Sequence, residues 1–175
     1  MIRKISLGCA TALLMISGPV AAAEPQGPSD AQIAHIAYTA GQLDLESGKL
    51  ALTKSKNSAV RAFAETMVRD HAAVNEQALA LVKKLGVTPQ PNDTSEALST
   101  QSAKTAKELE KLDGVDFDRA YVGSEIAYHR TVNQALQGTL IPSAQNPELK
   151  SLLTSGLALF EEHQKHAEAL AKSLP

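Results

Sequence analysis

Apolar residues recur every three or four positions along almost the whole chain from residue 29 onward, and no stretch alternates with the period of two that a strand requires. Ser29 and Gln32 have the spacing of a capping box, so a first helix is expected from about Asp30 to Lys54. Asn57 or Ser58 caps a second helix that continues to Leu85 and stops at Gly86. The very short link between them makes these two helices antiparallel. Val87 to Asp93, with Pro89 and Pro91, reads as a loop. Ser95 to Leu112 reads as a shorter polar helix ended by Asp113-Gly114. Asp116 is expected to cap a long helix from Phe117 to about Leu140, broken by Pro142. Asn146-Pro147-Glu148 supplies a cap, a first-turn proline and a first-turn acid for a last helix running to about Leu174.

A polar helix of this length covers about 27 Å at 1.5 Å per residue, roughly the height of a bundle. It can therefore return the chain between the second and third long helices and let those two run parallel. The expected fold is all-α: a ferritin-like four-helix bundle over residues 29–174, with the extra helix in that crossover.

The apolar stripes carry interruptions that matter chemically. On the second helix Val60, Phe63, Met67, Val74, Ala78 and Leu81 face inward, with His71 among them. On the third long helix the stripe of Val122, Ile126, Val132, Leu136 and Leu140 contains His129, and on the last helix Leu149, Leu153, Phe160, Ala167 and Leu170 bracket His163. On the first helix Ile36, Leu43, Leu50 and Thr53 bracket Glu46. In a ferritin-like topology all four polar residues fall near mid-height, within about two turns of one another. His71-Ala72-Ala73-Val74-Asn75 is echoed by His129-Arg130-Thr131-Val132-Asn133, which fits a pseudo-twofold relation between their helices.

Three imidazoles and one carboxylate make a ligand set for zinc, copper or iron, so Glu46, His71, His129 and His163 are the expected metal ligands. Glu125, one turn before His129, is expected to form an ordinary pair on the helix surface; the other reading is that it orients that ring's second nitrogen. The alternative is a buried polar network, with the histidines hydrogen-bonded to Glu46, Tyr128 or backbone carbonyls and no ion. Asp70 is expected in a salt link to Arg69 or to another helix. His166 is expected at the rim of the bundle and His35 in solvent.

The start of the chain changes the compartment. Arg3 and Lys4 precede a mostly apolar run from Ile5 to Val20, and Ala21-Ala22-Ala23 offers a cleavage site, so residues 1–23 read as an export signal and 24–28 as a short polar lead. Cys9 lies too early in that run for a lipoprotein signal. The expected location is the periplasm. Cleavage removes the single cysteine, and it moves the formal charge from −2 to −4 because two bases leave and no acid does. No disulfide or thiolate chemistry remains, and an acidic surface without a basic patch argues against nucleic acid as a partner. No later segment has the apolar length to cross a membrane. No Ser-His-Asp order or glycine-rich phosphate loop occurs, which counts against common hydrolases and nucleotide enzymes. Two rival readings remain open. One is a non-catalytic envelope protein acting through its surface on a partner or on its own copies. The other is an enzyme using the histidine cluster, which requires an open coordination position and a pocket reaching solvent.

The run Val60-Arg61-Ala62-Phe63-Ala64-Glu65-Thr66-Met67-Val68-Arg69-Asp70-His71, then Phe117-Asp118-Arg119-Ala120-Tyr121-Val122, then His129 and Glu162-His163, resembles the domain-of-unknown-function 4142 family. The resemblance covers nearly all of residues 29–174. It implies an exported bacterial protein with a ferritin-like fold, and it implies no settled activity. True ferritins carry Glu-x-x-His on two helices. Here Glu125 to His129 and Glu162 to His166 are each one residue too long, which counts against di-iron chemistry.

Overall fold

The computed structural model describes residues 27–175, so the expected export signal and most of the polar lead lie outside the described residues. The chain folds as an all-α bundle in the order α1 (Asp30–Lys54), α2 (Ser58–Leu85), α3 (Asp93–Leu109), α4 (Gly114–Ala135) and α5 (Pro147–Ser173). Side chains set the boundaries. Ser29 and Gln32 close the expected capping box on α1. The Asn57 carboxamide accepts from Ala59 and Val60, and Asn146 does the same for Glu148 and Leu149. Gly86, at φ 63°, ends α2 in the left-handed conformation that glycine adopts without a steric penalty.

Three boundaries depart from expectation. Asn92 caps α3, which begins at Asp93, two residues earlier than Ser95, and the helix stops at Leu109, short of Leu112. Asp113, not Asp116, stands at the start of α4, and its carboxylate is 3.1 Å from the Lys54 ammonium instead of capping the helix. Pro142 does not break α4 at Leu140. It has no N–H to offer, and the helix widens into a π turn over Leu136–Leu140, with Ile141 N–H donating to Leu136 O, before a last helical turn over Ile141–Ser143.

Two apolar layers show how the helices run. One layer joins Ala51 of α1, Phe63 and Met67 of α2, Leu109 of α3, Phe117 and Tyr121 of α4 and Leu170 of α5. The other joins Ile33 and Ile36, Leu136 and Leu140, Leu149 and Leu153, with Val74, Leu81 and Leu98 against it. Hence α2 and α4 run from the first layer to the second, and α1, α3 and α5 run back. The buried polar side chains Asp44, His71, Glu125, His129 and His163 belong to neither layer; in sequence each falls between residues of the two.

The inner face of α1 is made of small residues. Ala40, Gly41, Gly48 and Ala51 are buried, and they let α2 approach closely. A Cβ on Gly48 would stand 3.0 Å from Val68 Cγ2 and 3.2 Å from the Ala64 carbonyl oxygen, and one on Gly41 would collide with the Asn75 carboxamide. Leu43 and Leu50, the residues that define the stripe on sequence grounds, are only half-buried. No helix among the described residues is long and apolar enough to cross a membrane.

Gly48→Leu is expected to cost about 1–3 kcal/mol, because its side chain must push against a packed backbone. Gly123→Ala, in an exposed turn of α4 where an added Cβ meets nothing, is expected to gain up to about 1 kcal/mol from helix propensity alone. Urea unfolding of the two variants beside the parent checks the pair, and a neutral Gly48→Leu would contradict the close α1–α2 contact.

Candidate metal centre

The structure brings three of the four sequence-expected residues together. The ring centroids of His71 and His129 are 5.7 Å apart, those of His71 and His163 5.3 Å, and those of His129 and His163 5.4 Å. All three side chains are buried. Glu46 does not join them and is exposed. The carboxylate that α1 delivers is Asp44, 1% exposed. Its Oδ2 lies 3.4 Å from His71 Nε2 and 3.5 Å from His129 Nε2.

The reason lies in the stripe. Spaced along Leu43 and Leu50, the inward register of α1 passes through Glu46. Spaced along the small residues Ala40, Gly41, Gly48 and Ala51, it passes through Asp44. Helix contact is closest where side chains are smallest, so the small-residue register faces the centre. The signal was present in the sequence, but the larger leucines outweighed it.

Hydrogen bonds fix which nitrogen faces inward in two of the three rings. His129 Nδ1 is 3.0 Å from the Glu125 carbonyl oxygen, which can only accept, so Nδ1 carries the proton and Nε2 keeps its lone pair. His163 Nε2 donates to Asp70 Oδ2 at 3.0 Å and leaves Nδ1 bare. His71 is held by stacking on Phe160, with centroids 4.7 Å apart and planes at 15°. His129 Nε2, His163 Nδ1 and both nitrogens of His71 are buried without a hydrogen-bond partner, and the Asp44 carboxyl is buried beside that of Glu125. Tyr128, an expected partner of the histidines, donates to the Ala40 carbonyl at 2.8 Å.

Glu125 is buried, 2% exposed, and is not a surface pair with His129. It orients that ring through its backbone carbonyl, while its side-chain Oε1 accepts from the Ser47 hydroxyl at 2.6 Å. Asp70 makes both expected kinds of link, to Arg69 at 2.7 Å and to His163 on another helix. His166 is exposed, its ring edge-on to Phe63, and His35 is half-buried near Thr39. In the echoed segments His71, Asn75, His129 and Asn133 are all buried.

Burial dominates the electrostatics. Desolvation, reinforced by His129 and His163, lowers the His71 pKa to about 3. Desolvation lowers His129 to about 4, although the Glu125 carbonyl partly opposes it. His163 is lowered less, because Asp70 favours its charged form. Desolvation raises Glu125 to about 7 and, with the neighbouring Glu125, raises Asp44 well above the usual carboxylate range. At neutral pH the imidazoles are therefore neutral, which is the form that binds a metal. A buried cluster able to chelate a transition metal ion is present, as His71–His129–His163 and as the adjoining Asp44–Glu125–His129.

These shifts set a pH dependence. Below the ordinary histidine value of 6.5 the unfolded chain takes up protons that the folded metal-free chain refuses. The histidine contribution to stability is thus held above pH 6.5 and lost as pH falls toward 4 and 3. Asp44 and Glu125 act in the opposite sense, their raised values favouring the folded state at low pH, so the informative quantity is a difference. In metal-free His71→Gln the slope of unfolding free energy between pH 6.5 and 4 should be shallower than in the parent by about one proton, or ~1.4 kcal/mol per pH unit. Urea titrations across that range measure it, and equal slopes would mean that His71 is not held neutral.

The model of the family described as "Domain of unknown function (DUF4142)" matches residues 17–170. The crystal structure of a candidate secreted protein, DUF305, from Streptomyces coelicolor is similar in fold, with a TM-score of 0.69 over 81% of this chain and 90% of that one, at 16% sequence identity. No curated protein matches the chain. With most of its length covered by that one family model, the protein belongs to the DUF4142 family.

Proposed function

We propose that this protein is an exported, ferritin-like metal-binding protein of the cell envelope. In this reading it holds one transition ion on His71, His129, His163 and Asp44 for buffering, storage or protection against metal stress. The observation that carries the reading is the set of inward imidazole nitrogens without partners: His129 Nε2, His163 Nδ1 and His71 Nε2. A network that existed only to fix the helices would satisfy those atoms with one another, since each buried orphan costs about 1–3 kcal/mol. Spacing supports it too. A tetrahedron of ligands about 2.0–2.1 Å from zinc has edges of about 3.3–3.4 Å, and Asp44 Oδ2 stands 3.4 and 3.5 Å from two imidazole nitrogens. The outward nitrogens of His129 and His163 are tied to a carbonyl and a carboxylate, as those of metal-bound histidines are.

Export rests on the basic, apolar and small-residue succession of residues 1–23, and the secreted description of the DUF305 structure agrees with it. The ferritin-like assignment rests on parallel α2 and α4 joined through α3, which runs back against α1 and α4. We read the chain as a binding protein and not an enzyme, because none of the three clustered histidines lines the cavity that reaches solvent between α1, α3 and α4.

Elemental analysis of the protein purified from the periplasm without a histidine tag is expected to find near-stoichiometric metal, and none in the His71→Gln/His129→Gln variant. Asp70→Asn is expected to weaken zinc binding about 10–100-fold by releasing the His163 ring, whereas Glu46→Gln leaves the affinity unchanged. No metal in either protein, together with zinc and copper titrations that leave the melting temperature unmoved, would reassign the histidines to structure alone.

A further inference from the structure

A cavity of about 590 Å³ lies between α1, α3 and α4. At ~30 Å³ per molecule it has room for roughly twenty waters. It exists because α3 is a poor cover. That helix buries only Ser95 and Leu109, near its two ends, so its middle stands over the cavity without filling it. Asp44 and Glu125 line the cavity, and none of the three clustered histidines does. Asp44 therefore faces two ways: it borders the cavity, and its Oδ2 lies within 3.5 Å of His71 and His129.

We propose that this cavity is the path by which the ion reaches the histidines, with Asp44 and Glu125 forming the wall across which it is handed. The inference rests on the metal-binding reading above and adds the direction from which the ion arrives. Three further observations support it. Asp44 and Glu125 border the inner end of the cavity and are 1% and 2% exposed, so this carboxyl pair stands between the cavity and the nitrogens of His71 and His129. Glu46 is exposed and also lines the cavity, which puts negative charge on its solvent side and raises the local concentration of cations there. Ser47, Ser99, Ser102 and Ser124 are interspersed with leucine and alanine in the lining, so between Glu46 and the Asp44–Glu125 pair the walls carry neutral polar residues and no charge that would trap an ion on the way. Glu46 thus has a place in the account although it is not a ligand. On the opposite side Asp70 is engaged with Arg69 and His163.

Stopped-flow uptake and release of cobalt(II) by the metal-free protein, followed through the visible absorption of the bound ion, tests the path. Ala106→Phe, which fills the cavity from α3, is expected to slow association and dissociation together by about tenfold while leaving Kd unchanged, because a blocked path alters both rates alike. Glu46→Lys, an exposed change that does not depend on core packing, is expected to slow association several-fold at low ionic strength. Glu76→Lys should not do so, since α2 contributes no residue to the cavity. Parent rates in both Ala106→Phe and Glu46→Lys, with full cobalt occupancy, would overturn the path and leave the binding site standing. A parent chain that takes up no cobalt would overturn both.

Discussion

The arrangement turns on the convergence of imidazole lone pairs in a dry interior. Two of the three rings are forced into one tautomer by acceptors outside the cluster, the Glu125 carbonyl for His129 and the Asp70 carboxylate for His163. Neither ring can turn its bare nitrogen away without breaking a buried bond. The third, His71, is clamped flat on Phe160. Low dielectric keeps all three uncharged, because a protonated ring would lose its hydration and face another imidazole. Burial of their side chains and their closeness to each other keep Asp44 and Glu125 from both ionising. A single divalent cation would relieve these constraints together: His71, His129 and His163 would hold it through their lone pairs, and its charge would favour the ionised form of Asp44.

The bundle makes room for this belt by separating its apolar residues into two layers, one above and one below. Phe63, Met67, Phe117 and Tyr121 close one end, and the leucines and isoleucines of α1, α4 and α5 close the other. The small residues of α1 belong to the same design. Gly41 and Gly48 flank Asp44 at three and four residues, on its own face of the helix, so the close approach of α2 to α1 also brings Asp44 within reach of His71. The α1–α2 contact is thus part of the site and not only of the fold.

Most of the fold was legible because its signals are local. Ser29 with Gln32, Asn57, Gly86 and Asn146 marked helix ends that the structure places at the expected residues. The errors came where a local signal met tertiary demand. Asp113 pairs with Lys54 on another helix, and Pro142 is absorbed by a π turn. Three ligand candidates were legible because a histidine in an apolar stripe is conspicuous. Asp44 was not, because its stripe is made of alanine and glycine, residues that are inward for reasons of size rather than hydrophobicity. The cavity could not be read at all. It depends on how little of α3 is buried, and that follows from the packing of three helices.

X-ray absorption at the zinc edge, on protein loaded with one equivalent of zinc, tests the central claim most directly. Four nitrogen and oxygen neighbours near ~2.0–2.1 Å are expected, with the outer-shell scattering of three imidazoles, reduced to two in His163→Gln. A shell of five or six oxygens, or a spectrum with imidazole scattering that His163→Gln leaves unchanged, would contradict it.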